Sequence, residues 1–436
     1  MNNSSQSTVN TSLWSQRSLT KIPKPQVKSV AWLMCALGTI FYCYEYYLRI
    51  APSVMGSELR EVYQVSEAAL GHLSACFYYA YVMMQVPVGV LLDKFGPRRV
   101  LTVACFLCAL GTYLFAGTDS FILSQLGRFL VGFGSAFAYV GVLKLADIWL
   151  APRYFALMAG ICTTLGLLGA MTGQIWMTSW VEAIGWQKLC YYAAWIGLFL
   201  TALLWLGLKN KQAADLPQVQ HPTLPMVGCL TGMLKSPQLW LTGFLGCLTF
   251  LPVSLLAELW GISFLEARGL ERQTAAVASS MVFLGFAMGG PVWGLLSDKL
   301  QSRKIPMMIG SLFAAIAASI LIWLPDLSVY ALNFTLLLLG FFTSAEVLVF
   351  AISNDMSDSR ITATAAAFTN MLVMMGGAIL QPVVGMLLDH LTNPLETALL
   401  PTAAHYATAL SVLPISLLIA AVLSLFLRET YPRPRA

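Results

Sequence analysis

Twelve apolar runs, each about 19 to 29 residues long, occupy most of this chain and leave it few ways to fold. They cover approximately residues 28–50, 67–92, 99–117, 122–150, 154–180, 188–208, 238–265, 273–297, 304–324, 328–353, 362–389 and 403–427. A helix rises 1.5 Å per residue, so about 20 apolar residues cross the roughly 30 Å of hydrocarbon in a bilayer. Each run is long enough for one crossing. Charge is too scarce for a water-soluble alternative. Only 10% of the 436 residues are Asp, Glu, Lys or Arg, against about 25% in an ordinary soluble domain. A soluble enzyme and a disordered chain are thereby excluded. So is a transmembrane β-barrel, whose strands read as short alternating segments. The net charge of +5 is small and scattered, and it offers no nucleic-acid surface.

Two breaks divide the rest. Residues 1–27 are polar and hold no apolar stretch able to act as a signal, so they read as a disordered tail, with the first span as an uncleaved insertion signal. Residues 209–237 form the longest polar stretch between spans and split them into six and six. The expected domains are the tail 1–27, a first half 28–208, a linker 209–237, a second half 238–427 and a tail 428–436. Eighteen of the 25 Lys and Arg residues fall in segments on the N-terminal side of the membrane. Four lie on the other side (Arg60, Lys188, Arg268, Arg272) and three within spans (Arg49, Arg128, Lys144). Positive charge marks the cytoplasmic side, so both termini are expected there. Among nine cysteines, Cys105 and Cys108 form a C-x-x-C inside the apolar Val103–Leu114, which reads as a buried helix pair rather than a redox or metal site. His72, His221, His390 and His405 are dispersed. No cofactor, metal or enzymatic activity is expected.

The halves repeat. Gly89, Asp93, Lys94, Arg98 and Arg99 after the second span match Gly294, Asp298, Lys299, Arg303 and Lys304 after the eighth, each pair offset by 205 residues. The second copy carries Gln301 where the first has Gly96. This G-x-x-x-D-[RK]-x-G-x-[RK]-[RK] loop resembles the signature of the major facilitator superfamily of secondary transporters. The resemblance covers the whole chain, and Gly127-Arg128-Phe-Leu-Val-Gly132-Phe-Gly134 is similar to a second motif of that family. It implies an all-α polytopic membrane protein of 12 transmembrane helices in two six-helix pseudo-symmetric halves. It also implies a central cavity lined by spans 1, 4, 7 and 10, with Gly89, Asp93, Arg98, Gly294, Asp298 and Arg303 locking the outward-facing state.

Ionisable residues in a membrane are costly enough to be functional candidates. In span 1, Glu45 and Arg49 are i and i+4 and share a face with Tyr42. Arg49 can take a carboxylate, and Glu45 an ammonium or a proton. An outer-leaflet pair reaching to water among belt tyrosines is the alternative. The string Tyr42-Cys43-Tyr44-Glu45 is similar to span 1 of the lysosomal dipeptide transporters. An arginine near an acid, as in Arg49 and Glu45, resembles the anion:cation symporters, although there the acid directly precedes the arginine. In span 4, Gly132, Ser135 and Tyr139 lie within ~40° of Arg128, whereas Lys144 is ~160° away, so the two cations share a cavity only if the helix bends. Span 7 has Pro252, Ser254, Glu258, Trp260 and Gly261, a kinked segment with a polar face. Glu346 is a deep carboxyl in span 10. Gly160, Gly166, Gly169 and Gly173 in span 5 and Gly376, Gly377 and Gly385 in span 11 are expected to let the halves slide on one another. Ala170 stands where the antiporter motif of span 5 has proline, which argues against efflux. Asn370 and Gln381 are further candidates for the cavity.

The expected function is proton-coupled import of a small charged or zwitterionic organic solute, whether organic anion, amino acid or dipeptide, by alternating access. Substrate contacts are assigned to Tyr42, Glu45, Arg49, Arg128, Tyr139, Lys144, Glu258, Trp260 and Asn370, and proton coupling to Glu45 and Glu346. The alternatives are an exporter of drugs, metabolites or siderophores and a sensor that binds solute without moving it. The expected setting is a monomer among lipids of a bacterial inner membrane.

Overall fold

The computed structural model describes residues 28–209, 235–324, 326–357, 362–392 and 400–431. The expected tail 1–27, most of the linker (210–234) and residues 432–436 lie outside them. Twelve long helical segments run in sequence among the described residues. The first six are α1 Lys28–Arg49, α2 Glu67–Phe95, α3 Pro97–Ala116, α4 Phe121–Trp149, α5 Phe155–Ile184 and α6 Trp186–Gly207. The second six are α7 Pro237–Ala267, α8 Arg272–Leu300, α9 Lys304–Trp323, α10 Val329–Met356, α11 Thr362–Leu391 and α12 Ala403–Ser424. Eleven of them, α2 to α12, are long and apolar enough to cross a membrane. The exception is α1, whose last two turns are the Tyr42 to Arg49 string. Its charges and phenols lower the hydropathy of a helix that is nevertheless enclosed by α4, α5 and α6.

Local chemistry sets the ends. Ser66, Ser236, Ser328 and Thr402 each accept a hydrogen bond from the backbone N–H three residues on, capping α2, α7, α10 and α12. Pro97 and Pro237 occupy first-turn positions, where the missing N–H costs nothing. The helices α2 and α8 run three residues past their expected ends, so Asp93 and Asp298 sit in last turns rather than in loops. At the following turn Gly96 has φ +77° and Gln301 has φ +50°. The second copy thus keeps a positive φ without glycine, which L side chains seldom adopt, but with ψ 39° in place of the 153° at Gly96.

Two spans are interrupted where function was expected. The helix α4 breaks between Ser135 and Ala138. In α7 the nine residues Pro252–Trp260 widen into a π-helix; Pro252 lacks the N–H that would continue the regular ladder.

Helices α2 and α11, and α5 and α8, form the seam between the halves. A Cβ on Gly71 would stand 2.6 Å from the Gln381 carbonyl, and one on Gly385 would stand 2.4 Å from that of Glu67. Backbone meets backbone there, and only glycine fits. The expectation is corrected for Gly376 of α11, which faces Cys247 and Leu251 of α7 inside the second half, and for α5. Gly166, Gly169 and Gly173 face Tyr42, Cys43 and Tyr47 of α1, inside the first half. A Cβ on Gly160 would meet nothing within 4 Å.

Candidate functional site

The face of the bundle where α1 begins and α12 ends is the terminal face; the other is the opposite face. Between them, at the seam, lies a buried charge cluster built from three helices. Arg49 donates through Nη2 to both Glu45 oxygens, at 3.3 and 3.4 Å. Its Nη1 lies 3.8 Å from Oε1 of Glu258 on α7, across the seam. The second oxygen of Glu258 accepts from the Tyr78 hydroxyl of α2. All four residues are buried. Glu258 is nine residues from the opposite end of α7 and Tyr78 eleven from that of α2, so the cluster is about 13–17 Å deep at 1.5 Å per residue. That is close to mid-bilayer.

The guanidinium of Arg49 is also enclosed by rings, with Tyr46 at 4.5 Å, Phe77 at 5.0 Å and Tyr81 at 5.2 Å from its central carbon. Such contacts contribute about 0.5–2 kcal/mol each, more where water is excluded. They offset part of the cost of burying the cation without using its hydrogen-bond donors. Nε and Nη1 of Arg49 and Oε1 of Glu258 have no hydrogen-bond partner among the described residues. Nε and Nη1 lie on different edges of the guanidinium, each beside the Nη2 that Glu45 holds, so either can donate to one oxygen of an oxyanion.

Arg128 is not at that receptor. Its Nη1 donates to the Leu48 carbonyl at 2.7 Å and its Nη2 to the Arg49 carbonyl at 3.1 Å. These are carbonyls from the last turn of α1, which α1 itself leaves unpaired. Arg128 therefore positions Arg49 through the backbone, and the expectation that it meets solute is corrected. Lys144 is corrected as well. Beyond the break in α4 it reaches the terminal face, where Nζ lies 2.9 Å from Asp93 and 3.9 Å from Asp147. Helix geometry had allowed both cations one cavity if α4 bent; the bend exists, but it delivers Lys144 to the signature turn.

The remaining candidates are spread along the seam and within the halves. The Tyr42 ring meets Tyr46 edge-on and Tyr139 at a tilt, with ring centroids 5.0 and 5.4 Å away, where α1 meets α4. Asn370 donates to Gln85 at 2.9 Å, joining α11 to α2. Trp260 is fully buried at the end of the wide turn, and its indole N–H has no partner among the described residues. Gln381 donates to the Ser254 carbonyl, inside the second half. Glu346 is buried in a 3₁₀ turn, Ser344–Val347, and its carboxyl makes no hydrogen bond or ion pair among the described residues. At three residues per turn, Ser344 and Val347 share the face toward α8, where they meet Gly289 and Gly290, and Ala345 meets Gly310 of α9. Glu346 occupies the third face, and the turn also packs on α7.

Polar contacts across the seam crowd toward the opposite face. Arg272 of α8 donates to both oxygens of Glu58, at 2.6 and 2.8 Å, and to the Val54 carbonyl. Asp389 of α11 accepts from the first backbone N–H groups of α2, Glu67 at 2.9 Å and Ala68 at 3.0 Å. Gln174 of α5 donates to the Ala257 carbonyl at 3.0 Å and to Ser279 at 3.2 Å. The opposite face is shut. The signature turns, by contrast, stay within their own halves. Arg303 pairs with Asp298 at 3.1 Å and Asp355 at 3.4 Å, and Arg98 donates to the Trp205 carbonyl. A Cβ on Gly89 or Gly294 would meet nothing within 4 Å, so the neighbouring helix each is suited to admit is not against it in this conformation.

Sequence reasoning missed Tyr78, Phe77 and Tyr81, which belong to one aromatic run in α2, as well as the closing pairs Glu58–Arg272 and Asp389–Glu67.

The sequence profile of the Major Facilitator Superfamily matches residues 35–382 and 249–436. The chain is 28% identical over 319 residues to the "Probable galactarate/D-glucarate transporter GarP" of Escherichia coli, covering 61% of this chain and 68% of that one. It is 28% identical over 327 residues to the "Probable sulfoacetate transporter SauU" of Cupriavidus necator, covering 70% and 74%. It is 24% identical over 384 residues to the "Lysosomal dipeptide transporter MFSD1" of Pongo abelii, covering 83% and 79%. In fold it is similar to a bacterial homolog of the human lysosomal transporter Spinster in an inward-facing and unoccupied conformation. The TM-score is 0.73 at 17% identity, over 93% of this chain and 96% of that one.

Proposed function

The chain belongs to the major facilitator superfamily and is an integral membrane transporter of a small solute; we propose that it imports a small organic anion, or a zwitterion presenting a carboxylate, together with protons. The observation that carries this reading is Arg49, buried at mid-bilayer with no hydrogen-bond partner for Nε or Nη1 among the described residues and with one carboxylate from each half against it. An anionic group on the solute takes one of these donors. It then competes with Glu258 for the guanidinium, and Glu45 or Glu258 is left to accept a proton or the ammonium of a zwitterion. Glu346, isolated on the third face of its turn, is the proton carrier of the second half. The names of the relatives support an anionic cargo, since galactarate, D-glucarate and sulfoacetate are all anions.

The 18 to 4 division of basic residues supports cytoplasmic termini. With that orientation the opposite face is the outside, and the conformation is closed to it. The signature turns, with Gly89, Asp93, Arg98, Gly294, Asp298 and Arg303, then act in the alternate, outward-facing state, when their ends of the halves come together. A bacterial inner membrane and a monomer complete the reading.

The test is uptake into proteoliposomes under an imposed pH gradient, with galactarate, D-glucarate, sulfoacetate and a dipeptide as solutes. Acid outside should drive accumulation of at least one of them. Arg49→Ala should abolish uptake, and Glu346→Gln should abolish gradient-driven accumulation while leaving exchange. Uptake at the wild-type rate by folded, inserted Arg49→Ala protein sinks the proposal.

A further inference from the structure

On the bilayer side of the first half, between α5 and α6, lies an open groove of ≈ 580 Å³. Trp176 and Trp180, one turn apart on α5, form one wall, Leu189, Tyr192 and Ile196 of α6 form the other, and Tyr47 of α1 closes the floor. Single exposed apolar residues are ordinary on a membrane helix. Here four large ones, Trp176, Trp180, Tyr192 and Ile196, are each more than half exposed around one hollow. Trp180 is four residues from the end of α5, and Ile196 is ten from the start of α6. The walls therefore reach about 15 Å below the opposite face, the depth of one leaflet's hydrocarbon. Tryptophan and tyrosine are the side chains suited to line its upper part, with an apolar body and a polar edge toward the head groups.

The rim carries charge. Lys188 is exposed and stands four residues before Tyr192, on the same face of α6 and one turn nearer the head groups. It makes no ion pair among the described residues. The carboxylate of α5 at this level, Glu182, acts instead on Glu266 and Arg272 at the seam between the halves. A second crevice shares Tyr47, Leu189 and Ala193 with the groove and ends at Arg128, whose Nε is unpaired. Its ≈ 10 Å³ holds no more than about one water. A head group cannot follow the groove inward to Arg128, so it must stay at the rim.

We propose that this groove binds one acyl chain of an anionic phospholipid from the leaflet at the opposite face, with the phosphate held at Lys188. The chain rests on Tyr47, between Glu45 and Arg49 in sequence, and so contacts the helix that carries the charge cluster.

The experiment is native mass spectrometry of the delipidated full-length protein, titrated with phosphatidylglycerol or phosphatidylcholine bearing identical chains. Wild-type protein should retain one phosphatidylglycerol with a preference of about fivefold, the worth of one surface lysine on an anionic head group. Lys188→Glu should erase the preference but leave retention. Ile196→Trp, which fills the groove from an exposed position, should lower retention of both lipids severalfold at an unchanged melting temperature. Equal retention of the two lipids by wild-type protein overturns the proposal. So does retention unchanged in Ile196→Trp, or a dimer that Ile196→Trp dissociates, since the groove would then be a contact between copies. None of these readouts depends on the identity of the solute.

Discussion

Glu258→Gln removes a charge that Arg49 meets from the other half, and its cost follows from the geometry. Two unit charges 3.8 Å apart attract by about 4 kcal/mol at an effective dielectric constant of 20. The substitution also relieves the penalty of burying a carboxylate, which opposes that attraction. Tyr78 can still donate to the side-chain oxygen of a glutamine. A net loss of about 2 kcal/mol is expected, a factor of about 30 in an equilibrium. Because the pair spans the seam, it exists only while the opposite face is closed. The whole loss therefore falls on the ratio of closed to open protein rather than on folding. Ser279 is a suitable reporter, since it is fully buried behind that closure and bonded to Gln174. In a chain whose native cysteines have been replaced, Ser279→Cys is exposed to a membrane-impermeant maleimide from the opposite side. Adding Glu258→Gln should raise the labelling rate about 30-fold. A rate within twofold of the parent, in folded protein, would refute the idea that this pair holds the halves shut.

Three further outcomes are expected. Burial raises the pKa of Glu58, but the hydrogen bonds and charge of Arg272 outweigh it and leave the carboxyl below its ordinary value. A depressed pKa stabilises the closed state above the ordinary value of about 4.3 and loses that contribution as pH falls through the depressed one. Labelling of the same reporter, divided at each pH by the rate of a freely exposed cysteine because only the thiolate reacts, should thus be flat from pH 8 to about 5 and should rise below about 4, and Glu58→Gln should remove the acid-dependent part. Arg128→Ala deletes two charge-assisted bonds to backbone carbonyls, each worth about 1.5–3 kcal/mol. It should lower the thermal unfolding midpoint and, because Arg128 holds the end of α1 that carries Arg49, raise the solute KM of the surviving protein with it; a raised KM at unchanged stability would return Arg128 to the solute site. Asp389→Ala removes the acceptor that caps α2 from the other half, about 1 kcal/mol by analogy with helix caps, and should speed reporter labelling about fivefold.

The spans, the repeat and the intramembrane charges were all legible, because each is a property of one stretch of chain. Hydrophobic length counts crossings, an offset of 205 residues aligns two turns, and a carboxylate in an apolar run stands out wherever it points. What stayed hidden was the partner of each group. Arg128 lined up with small residues along α4, but helical periodicity gives an angle about an axis and not what lies at that angle. Two unpaired carbonyls at the end of α1 were there. Gly166, Gly169 and Gly173 of α5 did report close approach, to Tyr42, Cys43 and Tyr47 of α1 rather than to the other half. Tyr78 was invisible for the opposite reason, since a phenol inside Phe77-Tyr78-Tyr79-Ala80-Tyr81 looks like ordinary apolar filling until Glu258, 180 residues away, accepts a hydrogen bond from it. Contacts across the seam are the ones that must break when the halves rock, so each side must also be tolerable alone, solvated or paired within its own half. Arg49 with Glu45 meets that requirement within α1, and this is why the local i, i+4 pair could be read from sequence while its partner on α7 could not.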